Sequence, residues 1–460
     1  LAYLNSQPWS VFISEEKEVD AFRGRVTEEW EPRYIEISDV ILTARALATH
    51  LFYEDGELSA RLAQFSEDPF GLHGPGAVFD HCKGRDKWLF DAIPGLPESK
   101  LLRGQHGHLK QSGEDGEPSC RLAIVPKDFR GHRLICVEPK EFMFYQQGLM
   151  RVLVDLVHNH WLTSRSIDFK DQSKSFALSR SPNYSTIDLS DASDNLRLSL
   201  ARHILPKDVW KLATLARSRS IELPDGDSIS YTTLFPMGNA LCFPFQTIIF
   251  FCLSLATILI KCGQTHRASN SRLMREFLSR YRIRVFGDDI IVPRKYFNEV
   301  CDVLSRCGLK VNWGKSCHNT PVREACGSWY YYGVDARIVR LRTHRVSEDK
   351  EWCGTLQAAK LLFQNGFSHT GDALLSCLDE YYPVPYGVDW VPGKIPWGSS
   401  IVRYNIQLQR VEVRIPIVKD NRPDVLTDEI GLYSYFTGRG SRMAPHHSAQ
   451  RTEMGWAAII

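Results

Sequence analysis

The strongest chemical signal in the chain is a set of aspartates in an ordered series. Gly287-Asp288-Asp289-Ile290 lies between two short β-type runs, Ile283-Arg284-Val285-Phe286 and Ile290-Ile291-Val292, which predicts a hairpin lifting two adjacent carboxylates into solvent. Upstream, Asp188 ends the strand-like run Ser185-Thr186-Ile187-Asp188-Leu189, and Asp191 and Asp194 follow on the first turn of a helix that Ser190 or Asp191 would cap. One carboxylate from the strand and one from the hairpin can bridge two magnesium ions roughly 3.5–4 Å apart, which lowers the pKa of an attacking hydroxyl and neutralises a leaving pyrophosphate. Manganese accepts the same oxygen ligands. Gly-Asp-Asp alone is a common tripeptide, so its flanks and its place in the series carry the weight.

Between the two acidic motifs stands Met237-Gly238-Asn239. Gly238 permits a tight backbone turn, and the Asn239 amide offers both a donor and an acceptor. A Gly-Asn dipeptide is ordinarily only a turn. At the head of a buried helix it gains a sharper reading, in which Asp194 orients Asn239 and the pair hydrogen-bonds a ribose 2′-hydroxyl. A third group, Lys127, Arg130, His132 and Arg133, forms a basic turn between two strands and could grip a triphosphate, Arg as a fork and Lys as a point charge. Lys315, after Trp313, could protonate the leaving pyrophosphate as a general acid.

The elements that must position these residues read as follows. Residues 30–65 are helical. Leu122–Val125 and Leu134–Val137 are strands flanking the basic turn, and a long helix runs from about Glu141 to His158. One helix carries Leu196, Leu198 and Leu200, and a hairpin joins Ile221-Glu222-Leu223 to Ile229-Ser230-Tyr231 through Pro224-Asp225-Gly226. Downstream come a helix at Tyr296–Cys307, strands at Leu309–Trp313, Trp329–Val334 and Ile338–Leu341, and helices from Ser347 to Tyr381. The class is α+β. Gly104–Ser119 is the most loop-like stretch.

With 460 residues the chain exceeds one ordinary hydrophobic core, so several lobes are expected. A net charge of +2 announces no global polyanion-binding field, and any nucleic-acid groove must come from local clusters. Arg267, Arg272, Arg275, Arg280, Arg282 and Arg284 precede the Gly-Asp-Asp, and Arg337, Arg340, Arg342 and Arg345 follow it; either cluster could equally be a solvated face. Twelve cysteines include no CxxC pair, which argues for a reduced, cytosolic protein without zinc. His106/His108 and His158/His160, set as on a strand face, lack partners for a metal site. Leu241–Ile260 contains no charged residue and is long enough to span a membrane, but Pro244, Gln246, Thr247, Ser254 and Thr257 favour a buried core helix. No signal peptide is evident at the start, and the chain reads as a possible fragment.

Taken in order, Thr186-Ile187-Asp188-Leu189-Ser190-Asp191-Ala192-Ser193-Asp194, Met237-Gly238-Asn239 and Phe286-Gly287-Asp288-Asp289-Ile290-Ile291 resemble the motifs of viral RNA-dependent RNA polymerases, and most closely the replicase subunit of leviviruses, the positive-strand RNA bacteriophages. Val125-Pro126-Lys127 with Arg133 and Glu138-Pro139, Leu223-Pro224-Asp225-Gly226, and Arg323-Glu324-Ala325-Cys326-Gly327 with Tyr330-Tyr331 and Gly333-Val334-Asp335 extend the resemblance over residues 120–345. It implies a right-hand polymerase fold: residues 1–180 an N-terminal region with fingers, 181–345 a palm with a fingers insertion near 205–235, and 346–460 a thumb and C-terminal region.

The resemblance further implies Asp188, Asp288 and Asp289 as metal ligands, with Asp288 the firmer of the hairpin pair. Asp194 and Asn239 become the sugar-sensing residues, with Gly238 beside them among the nucleotide-binding positions, Lys127, Arg130 and Arg133 the triphosphate grip, and Lys315 the acid. Tyr330 and Tyr331 would lie near the primer strand. The implied partners are template and product RNA, nucleoside triphosphates and the host elongation factors Tu and Ts, with primer-independent initiation in the cytoplasm of an infected bacterium and no membrane insertion. Phe235-Pro236 stands where the family usually has Ser, which stiffens the loop. Competing readings are a narnavirus-, mitovirus- or ourmiavirus-type polymerase, then a reverse transcriptase, then a non-catalytic RNA-binding protein. Gly287 and the Asp194/Asn239 pair disfavour the reverse transcriptase, and three convergent carboxylates, which repel phosphate without metal, disfavour the last.

Overall fold

The computed structural model describes residues 15–27, 34–53, 56–67, 71, 73–74, 76–82, 84–88, 119–128, 131–336, 349–379, 402–407, 410–419 and 451–458. Arg130, His106, His108, most of the Gly104–Ser119 loop, the Ile338–Leu341 strand and the arginines from 337 to 345 lie outside the described residues. The chain divides into two compact units, Leu1–Ala336 and Arg337–Ile460.

In the first unit, β1 (Ser119–Asp128) and β2 (Gly131–Val137) pair antiparallel with Val125 opposite Arg133. The basic turn is therefore shorter than its sequence suggested, with Lys127, His132 and Arg133 on the strands themselves. β3 (Tyr184–Ile187) and the two-residue β4 (Leu189–Ser190) flank Asp188, and β5 (Ser220–Glu222) and β6 (Ser228–Ser230) form the expected hairpin, with β5 parallel to β1. β7 (Arg284–Phe286) and β8 (Asp289–Pro293) form the Gly-Asp-Asp hairpin, and β8 also pairs with β3. β9 (Lys310–Val311) joins β4. β10 (Val322–Ala325), β11 (Ser328–Tyr331) and β12 (Val334–Asp335) make an antiparallel meander. Its loops, Cys326-Gly327 and Tyr332-Gly333, have φ of 51°, 78°, 49° and 79°, the signature of two type I′ turns, whose twist suits a two-residue hairpin.

The predicted long helix is found at Lys140–Asn159 and the helix after the hairpin at Phe297–Arg306. His158 and His160 sit at the end of the former and not on a strand. The helix expected after Asp191 is two pieces, Ala192–Asn195 and Leu198–Ile204. It breaks because Arg197 leaves it to bridge Thr233, and the Leu198 N–H donates to Thr232 O at 2.8 Å. Asp191 holds φ 47° at the start of the first piece without a side-chain cap.

The apolar helix Cys242–Lys261 packs against Tyr34–Tyr53 in the main core. Although it is long and apolar enough to cross a membrane, 89% of its most apolar window is buried within the protein. Phe245, Phe250 and Phe251 are fully buried, each worth about 1.5–3 kcal/mol of transfer free energy. The second unit contains helices Asp349–Gln364 and Ser368–Asp379, joined through Leu356, Ala359, Leu375 and Leu378, and a sheet of β13 (Val402–Asn405), β14 (Arg410–Lys419) and β15 (Arg451–Ala458).

Candidate active site

Strand register brings the carboxylates together. β3 and β8 pair with Ile187 opposite Ile290, so one step further along the ladder Asp188 faces Asp289. Facing cross-strand residues project to the same side of a sheet, with Cβ atoms about 4.5–5.5 Å apart. Phe286 pairs with Asp289, leaving Gly287 and Asp288 as a two-residue loop with Gly287 at φ 64°. The loop rests on the apolar helix: the Gly287 N–H donates to Thr247 Oγ1 at 3.0 Å, and a Cβ at Gly287 would lie 2.3 Å from Phe243. The expectation of carboxylates lifted into solvent is corrected here, because Asp288 and Asp289 are only partly exposed.

Ligand oxygens of Asp188, Asp289 and Glu324 all lie within 4.8 Å of one another. Sequence reasoning quoted Glu324 only within the motif at residues 323–327 and gave it no role. The type I′ turn after β10 draws this strand in, since the Cys326 N–H donates to Asp289 Oδ2 at 3.1 Å. Burial, then the charges of Asp288, Glu324 and Asp188, push the Asp289 carboxyl up to about 8. Burial also raises Asp188, Asp288 and Glu324. Like charges crowded in this way favour a bound cation, and an all-oxygen donor set fits magnesium or manganese.

Asp188 is held from both sides, its N–H donating to Ser316 Oγ at 3.1 Å and its carbonyl accepting from the Asn312 N–H at 2.9 Å. The same Asn312–Ser316 loop carries Lys315, whose Nζ lies 3.7 Å from Asp188 Oδ2. Around these groups opens a cleft of about 740 Å³ lined by Lys127, Arg133, Asp188, Asp194, Gly238, Asn239, Asp288 and Lys315, together with Lys17, Arg25 and His132. Its walls carry both signs, since Glu18 and Asp191 line it as well, and Lys127 and Arg133 are groups suited to phosphate oxygens.

Asp194 and Asn239 have different partners from those expected. Asp194 Oδ2 accepts from Arg25 Nε at 3.1 Å, and Asn239 Nδ2 donates to Glu138 Oε1 at 2.7 Å. No signal in the sequence singled out Arg25. Glu138 was visible only as part of the Glu138-Pro139 motif. The arginines before the hairpin mostly serve structure: Arg284 is buried and donates to Ser175 Oγ and Arg165 O, Arg275 lies over Trp161, Arg280 over Tyr281, and Arg267 is 3.6 Å from Glu276. Tyr330 is buried beneath Arg180, whereas Tyr331 is exposed.

Residues 94–345 match the family described as RNA replicase, beta-chain. Among similar proteins, the "RNA-directed RNA polymerase subunit beta" of Qbeta virus (strain MX1) is 33% identical over 233 residues, 50% of this chain and 36% of the relative. The "RNA-directed RNA polymerase beta chain" of Enterobacteria phage fr is 30% identical over 340 residues, 69% of this chain and 55% of its own. The chain thus spans between about a third and a half of the length of these relatives. A crystal structure of the RNA-dependent RNA polymerase of a human picorbirnavirus aligns with 78% of this chain and 76% of its own at TM-score 0.45 and 12% identity.

Proposed function

The chain belongs to the RNA replicase beta-chain family, and from that premise we propose that it is an RNA-directed RNA polymerase, copying single-stranded RNA from nucleoside triphosphates within a right-hand arrangement of fingers, palm and thumb. The observation that carries the reading is the convergence of Asp188, between β3 and β4, with Asp289 on β8 and Glu324 on β10, beside a cleft walled by Lys127, Arg133 and Lys315. Magnesium, or manganese, held by Asp188, Asp288, Asp289 and Glu324 would supply charge neutralisation on the triphosphate and a lowered pKa at the attacking 3′-hydroxyl.

The chain's own residues do the rest. Lys127 and Arg133 bind triphosphate oxygens, with Arg130, between them in the sequence, as a further candidate. The Lys315 ammonium, held near the reaction centre by Asp188, is suited to give its proton to the leaving pyrophosphate. Asn239, and Asp194 once released from Arg25, recognise the sugar 2′-hydroxyl. Asp289, whose ligand oxygen lies within 4.8 Å of those of Asp188 and Glu324, and Asp288, in the loop at the hairpin tip, would both help hold the ion. Host elongation factors Tu and Ts are proposed as partners on the family resemblance, and the cytoplasm of the infected bacterium as the place of action.

Incorporation of labelled ribonucleotides by the purified chain on an RNA template tests the reading. Product is expected only with template, all four ribonucleotides and Mg²⁺ or Mn²⁺ present. Equal synthesis after chelation of divalent ions overturns the metal assignment, and the absence of any product with the host factors supplied overturns the polymerase reading.

A further inference from the structure

We propose that Glu138, a carboxylate outside the metal cluster, is a positioning residue that fixes the Asn239 amide for reading the nucleotide sugar, and that it thereby sets the discrimination between ribo- and deoxyribonucleoside triphosphates. The inference rests on the polymerase reading above and deepens it at the same site.

The loop that carries Asn239 is built against β2. The Cys136 N–H donates to Met237 O at 2.7 Å. At Gly238, with φ 112°, a Cβ would stand 2.2 Å from Cys136 O and 2.7 Å from Ile135 Cγ2. Glycine therefore lets two backbones meet, and this approach sets Asn239 beside Glu138, the residue after β2.

Glu138 is fully buried and Asn239 is 4% exposed. Asn239 Nδ2 donates to Glu138 Oε1 at 2.7 Å, while Ser218 Oγ donates to the other carboxylate oxygen. On the opposite side of the amide, Asn239 Oδ1 accepts from the Leu241 N–H at 2.9 Å. Burial raises the Glu138 carboxyl, whereas its bonds from Ser218 and Asn239 and the Arg217 charge favour the ionised form; in that form it can only accept, as a backbone N–H can only donate. Together they dictate which end of the amide is nitrogen and which is oxygen, so a flip of the side chain would lose both bonds. The amide begins with two N–H groups and two oxygen lone pairs. After both bonds one donor and one acceptor remain, and Asn239 lines the cleft. A hydroxyl is the group that can use both.

The carboxylate is itself supported. Arg217, the residue before Ser218 in the chain, donates to Leu234 O at 2.7 Å, Tyr231 O at 3.0 Å and Thr233 O at 2.7 Å, with its guanidinium 4.0 Å from the Tyr231 ring centroid. Gln146 bridges Ala216 O and the Ala240 N–H at 2.7 and 3.2 Å, tying the same two segments together. A buried charge is costly unless it is fully hydrogen-bonded. Packing alone does not call for a buried acceptor at this position, whereas orientation of an amide does.

The test compares kcat/KM for GTP and dGTP on an RNA template in wild type, Glu138→Ala, Glu138→Gln, Asn239→Ala and the Glu138→Ala/Asn239→Ala double variant. The ribo-to-deoxy ratio is expected to fall about tenfold or more in Glu138→Ala, because a hydroxyl-reading site loses its geometry. It should fall no further in the double variant than in Asn239→Ala, because the two residues act as one unit. Glu138→Gln should keep the ratio within about twofold, since its carbonyl still accepts from Asn239 and the Ser218 hydroxyl can turn to accept from its amide. An active Glu138→Ala chain with the wild-type ratio, or additive effects in the double variant, overturns the proposal. If Glu138→Ala does not fold, Glu138→Asp, one methylene shorter, is held to the same expectation and the same contrary result. Equilibrium binding of GTP and dGTP keeps the two readings apart. Without turnover, preference for GTP lost in the variant supports the coupling even if the wild type makes no product, and equal wild-type affinities overturn it.

Discussion

At the scale of single residues, the account rests on acidic groups whose neighbours are also acidic. Asp289 titrates near 8 in the folded chain against an ordinary 3.8. Between these values the folded state holds a proton that the unfolded chain has lost, so stability is full at acid pH and declines as pH rises toward 8. Asp289→Asn keeps the shape without the charge. In the absence of divalent cations, the variant and wild type should melt together near pH 4, and the variant several degrees higher at pH 9. A wild type that gains on the variant over that range contradicts the crowding. The three aspartates were legible in the sequence because a strand end and a Gly-centred hairpin are local patterns. Glu324 stood within the motif at residues 323–327 but without a role: an alternating strand residue beside a turn has no periodic mark of chemistry, and the bond from Cys326 to Asp289 shows how its strand joins the group.

At the scale of elements, glycines decide how closely the parts approach. Gly238 meets Cys136 O with no room for a Cβ, whereas Gly226, at φ 92°, has nothing within 4 Å of a Cβ. Gly238→Ala should therefore destabilise by at least about 1–3 kcal/mol and more than Gly226→Ala, as read by urea unfolding. Equal losses would show that backbone conformation alone matters at position 238. Helices Lys140–Asn159 and Phe297–Arg306 were readable nearly to the residue because their apolar positions repeat at helical spacing. The helix after Asp191 was misread because its break is caused from a distance, by the Arg197–Thr233 bridge. Apolar residues on both sides of that break mimic one continuous face. The helix Cys242–Lys261 was ambiguous by composition, and its polar residues correctly favoured a core role. Thr247 accepts from the Gly287 N–H, so one of those polar groups also seats the Gly-Asp-Asp hairpin.

At the scale of the whole molecule, every residue of the candidate site that the structure describes lies in the unit Leu1–Ala336. The family match, residues 94–345, covers most of the same region. The pairs that the sequence could not reveal are those between distant segments: Arg25 and Asp194 are 169 residues apart, and Glu138 and Asn239 are 101 apart. Periodicity and motif spacing report on neighbours along the chain, and these pairings exist only once the lobes have packed. The central claim is that the carboxylates gathered by the β3–β8 register drive ribonucleotide addition on RNA. Its most direct measurement is single-turnover addition of the next complementary ribonucleotide at saturating Mg²⁺ by wild type and by Asp188→Asn, with circular dichroism confirming that both are folded. Removing a ligand worth several kcal/mol of transition-state stabilisation should slow addition about a thousandfold or more. A folded Asp188→Asn chain that adds nucleotide at the wild-type rate would contradict the account.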